Sequence, residues 1–183
     1  MEIDVDLAKC ANPLTGLPGN LVIDQEVKES VESGKKCTIY YFDLDNFKAY
    51  NNTYGFTNGD MMIKMVADIL TQLCSSDDFC GHIGGDDFVV ITNGDKTEDL
   101  CKSAFGKFAE DSQNLYSEID KERGYIVSKN RLGFIEEFPL ATLSAAAITN
   151  REHHYASIKE LSLVIAQTKK RAKQQTGNSL VIT

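Results

Sequence analysis

The sequence lacks the features that would assign it to a membrane protein or a secreted protein. No apolar run approaches the roughly 18–20 residues needed to cross a bilayer. Residues 1–6 have neither the basic start nor the apolar stretch of a signal peptide. The five cysteines are scattered without C-x-x-C spacing, which argues against a zinc site or a disulfide framework and indicates reduced thiols. We therefore expect a cytoplasmic location and no membrane segment.

Basic residues are also scarce. The 183 residues include 27 acidic and 19 basic ones, which gives a formal net charge of −8. Because nucleic-acid binders usually present a basic face, we expect no nucleic-acid partner. The acidic excess leaves a nucleotide enzyme possible, since such enzymes collect carboxylates to hold metal ions. With 42% hydrophobic residues the chain can build a core, and we expect one domain over 1–183 with 1–12 as a lead-in.

Local patterns predict strands that alternate with helices. Apolar residues at three- and four-residue spacing predict helices over 21–31, 58–73, 100–108 and 158–172. Short β-rich runs predict strands at 38–42, 79–83, 88–91, 124–128, 132–138, 140–149 and 180–182. Asp95 and Ser157 are expected to cap the helices that follow them. This alternation indicates an α/β or α+β fold.

Two acid-bearing turns stand out chemically. Asp43 ends the first predicted strand, and Gly84-Gly85-Asp86-Asp87 forms the predicted four-residue tip of a hairpin. We expect only one of Asp43 and Asp45 to enter a shared site unless the chain turns between them. If the two turns meet across neighbouring strands, three carboxylates converge and suit a hard cation such as Mg²⁺. The alternative is a solvated hairpin tip, because glycine and aspartate are ordinary turn residues.

Four sequence blocks carry a resemblance to a known family. In order, they are Pro13–Pro18 (PLTGLP), Phe42–Lys48 (FDLDNFK) continued to Gly59-Asp60, Gly84–Phe88 (GGDDF), and Ala172-Lys173 near Gly177-Asn178. Together they resemble a GGDEF domain, the family of diguanylate cyclases that join two GTP molecules into cyclic di-GMP. The resemblance implies a ferredoxin-like α+β fold, with a central antiparallel sheet flanked by helices as in polymerase palms and nucleotide cyclases. The segment 116–139 is longer than the usual connection, and we expect an inserted β-hairpin there.

The resemblance also implies where metal and catalysis belong. Two Mg²⁺ or Mn²⁺ ions per GTP would be held by Asp43, the carbonyl of Leu44, Asp86 and Asp87, and the three carboxylates would carry catalysis. Gly84 and Gly85 are the glycines of the name motif.

The nucleotide itself would contact a second set of residues. By the same resemblance, the backbone amides around Asn46, Phe47 and Lys48 would hold the phosphates. Lys173 would neutralise the triphosphate, Asn51 and Asp60 would read the guanine edge, and Ile63 would line the base pocket. Turn and helix-cap duties are the alternative for Asn51 and Asp60, and a helix C-terminus favours Lys173 in any case.

The activity implied is condensation of two GTP molecules, in which each 3′-hydroxyl attacks the α-phosphate of the other GTP and pyrophosphate leaves. Since each domain holds one GTP, two copies must face each other as a homodimer. Relatives usually carry an upstream sensory or receiver domain, so we expect this chain to be a domain cut from a longer signalling protein.

Several positions depart from the family pattern. Asp87 stands where glutamate is usual, and no arginine follows Gly177 where a phosphate-binding one is common, so reduced activity is expected. Ser75 replaces the arginine of the R-x-x-D inhibitory motif although Asp78 is retained, so we expect that site to be absent. His82 stands where arginine is common and is expected to be partly exposed. Two alternatives therefore stay open: a GTP-binding regulatory domain with weakened catalysis, and a non-catalytic dimerisation module.

Overall fold

Strands and helices alternate along the chain, as the sequence patterns predict. The computed structural model describes residues 10–93, 97–130, 132–150, 155 and 158–183. The helices are α1 (Asn20–Glu32), α2 (Phe47–Tyr54), α3 (Phe56–Leu73), α4 (Thr97–Asp111), α5 (Glu118–Arg123) and α6 (Ile158–Ala172). The strands are β1 (Cys37–Asp45), β2 (Phe79–Gly84), β3 (Asp87–Asn93), β4 (Tyr125–Lys129), β5 (Ile135–Pro139), β6 (Thr142–Thr149) and β7 (Ser179–Ile182).

A five-stranded sheet of order β2-β3-β1-β6-β7 forms the centre of the fold. β1 pairs antiparallel with both β3 and β6, and only the β6–β7 pair at one edge is parallel. The expected α+β class with a mostly antiparallel central sheet is confirmed. β4 and β5 pair with each other as a separate two-stranded sheet.

The central strand β1 is apolar along most of its length because helices cover both faces of the sheet. Tyr40, Phe42 and Leu44 lie in one buried cluster with residues of α3. Ile39 lies in a second cluster with Ile23 of α1 on the opposite face. Side chains alternate between the two faces of a strand, so a strand covered on both sides has no polar face.

Several predicted boundaries need correction. β1 does not stop at Asp43 but runs through it to Asp45, because Asp43 pairs with both neighbouring strands. The β2–β3 turn contains two residues rather than four, since Gly84 and Asp87 are themselves a pair. The predicted caps Asp95 and Ser157 lie outside the described residues.

The segment 116–139 contains more than the predicted hairpin. The hairpin is present as β4–β5, and it is preceded by the short helix α5, which the sequence patterns did not indicate. Within the described ranges, none of the helices has the length and apolarity of a membrane-spanning segment.

Candidate functional site

The two acid-bearing turns meet at one end of the central sheet. Asp43 on β1 lies directly opposite Asp87 on β3 in the antiparallel register, and Asp86 occupies the turn that leads into β3. Gly85 in the same turn has a φ of +59°, a conformation that glycine adopts without strain. The structure therefore brings the carboxylates of both turns to the same edge.

Lys169 on α6 and Lys173, which directly follows the end of α6, contact these carboxylates. Lys169 Nζ lies 2.6 Å from Asp87 Oδ1. Lys173 Nζ forms an ion pair with Asp43 Oδ1 and lies 3.7 Å from Asp45 Oδ1. Lys173 was among the predicted site residues, whereas Lys169 was missed. The spacing could have indicated it, because Lys169 lies four residues before Lys173 in the last turn of the helix, and residues four apart there lie on the same side.

Asp45 shares the face of Asp43, so the expectation that only one of them enters the site is wrong. Residues two apart on a strand point to the same side. Asp45 Oδ2 accepts hydrogen bonds from Thr142 Oγ1 at 3.1 Å and Ser144 Oγ at 2.5 Å. Its carboxylate is therefore tied to β6 beside the Lys173 ammonium.

Burial and neighbouring carboxylates raise the pKa values of Asp43 and Asp86. Burial raises the pKa of Asp43 to about 6, the Lys173 ion pair opposes this rise, and Asp86 and Asp87 add to it. Burial also raises the pKa of Asp86. For Lys173, burial alone would lower the pKa, but the ion pair with Asp43 produces a net rise. The cluster would hence favour a bound cation over free carboxylates.

The chemistry of the donor set fits Mg²⁺ or Mn²⁺, because carboxylate and carbonyl oxygens are hard ligands. The described side chains are not, however, arranged around a metal position in this structure. Among the described residues, no group of three or more His, Cys, Asp or Glu side chains is placed to hold a metal ion. The lysine ammonium groups are the cations that these carboxylates contact in this structure.

A cavity of about 370 Å³ opens beside the acids and includes most of the predicted phosphate-binding residues. Its walls are formed by Leu44, Asn46, Phe47, Lys48, Ala49, Asn52, Asp86, Lys129, Asn130, Phe138 and Lys173. Three lysines and one aspartate are included, so the lining carries a positive charge in an acidic chain. Such a lining favours an anionic ligand.

The N-terminus of α2 lies in this lining. Asn46, at the N-cap, has a φ of +60°, and its side chain does not cap the helix. The first intrahelical hydrogen bond is donated by Tyr50 to the Asn46 carbonyl, so the amides of Phe47, Lys48 and Ala49 have no intrahelical acceptor. Uncapped amides at a helix start are well suited to bind phosphate oxygens.

The residues expected at the base lie elsewhere. The cavity lining, taken over the described residues, includes neither Asn51, Asp60 nor Ile63. Ile63 is only 5% exposed and packs in the core, whereas Asp60 is exposed. Asn51 Oδ1 is buried and has no hydrogen-bond partner among the described residues, and it lies against Gly59, where a Cβ atom would approach it to 1.8 Å.

The expectation that His82 is partly exposed is wrong, since only 1% of it is exposed. Its Nε2 lies 3.0 Å from the Gly85 carbonyl and its Nδ1 lies 2.9 Å from Thr15 Oγ1. A carbonyl only accepts, so Nε2 donates, and in the neutral ring Nδ1 accepts the Thr15 hydroxyl proton. Burial lowers the His82 pKa, which favours this neutral form. His82 thus links the PLTGLP block to the glycine turn.

Asp78, the residue retained from the R-x-x-D inhibitory motif, forms hydrogen bonds with nearby residues. Asp78 Oδ2 accepts hydrogen bonds from the Ser75 amide at 2.8 Å and the Ser75 hydroxyl at 2.7 Å. Asp78 Oδ1 accepts a third from the Asn93 amide at 3.3 Å. These contacts hold the loop between α3 and β2 against the end of β3.

Comparison with known proteins gives one family. The family model described as "Diguanylate cyclase, GGDEF domain" matches residues 11–123, while the block around Lys173 lies outside that match. Diguanylate cyclase DgcZ of Escherichia coli K12 is 29% identical over 92 residues, which are 49% of this chain and 31% of DgcZ. Diguanylate cyclase DgcS of Shewanella oneidensis is 38% identical over 85 residues, 44% of this chain and 29% of DgcS. The chain thus spans about a third or less of these curated relatives.

Solved structures of similar fold cover nearly the whole chain. The GGDEF domain of DgcB from Caulobacter crescentus, in complex with c-di-GMP, has a TM-score of 0.66 at 20% identity over 94% of this chain and 95% of that one. Diguanylate cyclase SiaD of Pseudomonas aeruginosa, in complex with its activator SiaC, has a TM-score of 0.71 at 18% identity over 100% of this chain and 65% of that one. At these identities the likeness shows a common fold.

Proposed function

Because the chain belongs to the diguanylate cyclase GGDEF domain family, we propose that it binds GTP in the cavity beside Asp43 and condenses two GTP molecules into cyclic di-GMP. One observation carries the proposal. The uncapped amides at the start of α2 line a lysine-rich cavity that also includes Asp86, next to the opposed pair Asp43 and Asp87. Anion-binding amides beside a carboxylate cluster suit phosphoryl transfer, because the amides can bind phosphates and the carboxylates can hold metal ions.

In this reaction the 3′-hydroxyl oxygen of one GTP forms a bond to the α-phosphorus of the other. The bond from that phosphorus to pyrophosphate breaks, and the hydroxyl proton is released. The second 3′-hydroxyl repeats the step and closes the ring. Because the reaction joins two GTP molecules and we propose that each chain holds one of them in this cavity, two chains must face each other as a homodimer in the active state.

The proposed phosphate contacts are the amides of Phe47 and Lys48, the backbone at Asn46, and the Lys173 ammonium. All four residues line the cavity. The aligned peptide dipoles of α2 add partial positive charge at its N-terminus.

Although the described side chains are not arranged around a metal position in this structure, we propose that Asp43, the Leu44 carbonyl, Asp86 and Asp87 would hold two Mg²⁺ or Mn²⁺ ions per GTP. When bound, these ions would neutralise the charge that develops on the transferred phosphoryl group. Asp43 and Asp87 are ion-paired with Lys173 and Lys169 in this structure. Metal ligation by these acids would free both ammonium groups, which could then face the triphosphate.

Guanine recognition is proposed for Asp60 and Asn51, with Ile63 beside the base. A carboxylate accepts from both the N1 and N2 donors of guanine, and adenine lacks that pair of donors. Asn51 Oδ1, which has no hydrogen-bond partner among the described residues, is the acceptor that we propose for a guanine donor.

The setting of the domain is also proposed. Since the chain spans at most about a third of its listed curated relatives' length, we propose that an upstream sensory or receiver domain promotes pairing in a cytoplasmic signalling protein.

The test is incubation of the purified chain with GTP and Mg²⁺ or Mn²⁺, with cyclic di-GMP detected by chromatography over a range of protein concentrations. Product that rises with concentration and is lost in Asp43→Asn supports the proposal. Asp43→Asn keeps the size of the side chain and removes its charge, so a folded variant reports on the carboxylate. No product at any concentration contradicts catalysis.

A second candidate function is GTP binding that regulates a neighbouring domain. The observation that favours it is the pairing of Asp43 and Asp87 with lysines, together with the shorter side chain at Asp87. GTP binding without product, lost in Asp60→Ala, would identify this function. If the chain neither binds GTP nor forms product, the remaining alternative is a non-catalytic dimerisation module.

A further inference from the structure

The β4–β5 hairpin forms one wall of the cavity. The sequence motifs do not predict that the hairpin lies there. Lys129, Asn130 and Phe138 belong to or adjoin its strands and line the same cavity as the start of α2. The family match ends at Arg123, so these residues lie outside it.

The cavity holds three lysines, and they differ in what they already contact. Lys173 is paired with Asp43 and lies near Asp45. Within the described ranges, Lys48 and Lys129 form no ion pair and both are exposed. Lys129 is therefore a cation that is free to meet a ligand from the hairpin side.

The wall is held in place by the tyrosines of α2 and of the segment before the hairpin. Tyr50 donates its hydroxyl proton to the Leu115 carbonyl at 2.8 Å, and the Tyr54 hydroxyl contacts the Asp120 carboxylate. Tyr116 accepts a hydrogen bond from the Ala141 amide at 2.9 Å. These contacts anchor the chain on both sides of the hairpin to the core beside α2.

The turn of the hairpin is also organised locally. Asn130 Oδ1 accepts hydrogen bonds from the Leu132 amide at 2.9 Å and from the Phe134 amide at 3.0 Å. These two hydrogen bonds join Asn130, the residue after Lys129, to Leu132 and Phe134, and Lys129 itself lines the cavity.

We propose that Lys129 is a phosphate-binding residue that makes the cavity prefer nucleoside triphosphates over shorter phosphates. The inference rests on the proposed function, because it places GTP in this same cavity. A lysine contributes a point charge rather than a fixed bidentate contact, so its effect grows with the charge of the ligand. Removing it should weaken GTP most, GDP less and GMP least.

The experiment compares Lys129→Gln with Lys36→Gln in the full chain. Both changes remove one exposed positive charge, but Lys36 immediately precedes β1 at the end opposite Asp43. Dissociation constants are measured by calorimetry for GTP, GDP and GMP with Mg²⁺ at low salt. We expect Lys129→Gln to weaken GTP about 3- to 10-fold and GMP less than about 2-fold, as for a partly solvated charge contact. Lys36→Gln should match wild type.

Three outcomes decide the matter. A graded loss confined to Lys129→Gln supports the assignment. Equal affinities for GTP in Lys129→Gln and Lys36→Gln overturn it while leaving GTP binding itself intact. No GTP binding by the wild-type chain overturns this inference and the proposed function together.

Discussion

The close contact between Gly59 and Asn51 gives opposite expectations for two glycine-to-alanine changes in helices. A Cβ at Gly59 would lie 1.8 Å from Asn51 Oδ1, 2.9 Å from Asn51 Cγ and 3.2 Å from Phe47 Cζ. A Cβ at Gly106 on α4 would meet no atom of the described residues within 4 Å. Gly59→Ala must displace the Asn51 side chain, whereas Gly106→Ala has room.

The expected changes in the free energy of unfolding follow from two contributions. Alanine is favoured over glycine in a helix interior by about 1 kcal/mol, and both variants receive this gain. Overpacking costs about 1–3 kcal/mol, and only Gly59→Ala incurs it. We expect Gly106→Ala to stabilise the domain by about 1 kcal/mol and Gly59→Ala to destabilise it by up to about 2 kcal/mol. Urea denaturation measures both, and about 2–4 °C of melting temperature corresponds to each kcal/mol at this chain length.

A double variant shows whether Asn51 causes the difference. Asn51→Ala removes the side chain that supplies the two nearest atoms, so Gly59→Ala should cost less in that background. The two substitutions should be coupled by about 1–2 kcal/mol. If Gly59→Ala stabilised the wild-type chain as much as Gly106→Ala does, the packing of α2 against α3 described above would be refuted.

Three further outcomes are expected. In EDTA, Asp43→Asn should stabilise the domain by about 2–3 kcal/mol above pH 6 but not below pH 4. Burial raises the pKa of Asp43 to about 6 in the folded state, so the wild-type domain loses stability as the pH rises through that value. Parallel stability curves would contradict this. Asp87→Glu should raise the rate of cyclic di-GMP formation by up to about 100-fold, because the longer side chain extends the carboxylate by roughly an ångström. An unchanged rate would mean that Asp87 does not limit catalysis. His82→Phe should cost about 1–3 kcal/mol in urea denaturation through loss of the Thr15 and Gly85 hydrogen bonds, and an unchanged midpoint would argue against that link.

Features set by neighbours in the sequence were predictable. The apolar spacing of α3 indicated a helix, and the run before Asp43 indicated a buried strand. The meeting of the two acidic turns was a conditional prediction, because it depends on which strands pair. The antiparallel register of β1 with β3 meets that condition by placing Asp43 opposite Asp87.

Features set by distant contacts were not predictable in the same way. The ion pair of Lys169 with Asp87 spans 82 positions of the sequence, and the hydrogen bond of His82 to Thr15 spans 67. His82 was expected to be a partly exposed strand residue, because the sequence around it gave no sign of the distant contact with Thr15. The hairpin was visible in the pattern, but only the packing of α2 and β4 shows that Lys129 reaches the cavity.

The most direct measurement is a GTP titration of the ¹⁵N-labelled chain with Mg²⁺, followed by NMR of the backbone amides. Phosphate binding at the start of α2 should shift the amide signals of Phe47, Lys48 and Ala49 most, because these groups have no intrahelical acceptor. The Lys36 amide, near the opposite end of β1, should stay unchanged. Saturable shifts centred on α2 are the predicted result. Shifts confined to other segments, or none at millimolar GTP, would contradict a nucleotide site in this cavity.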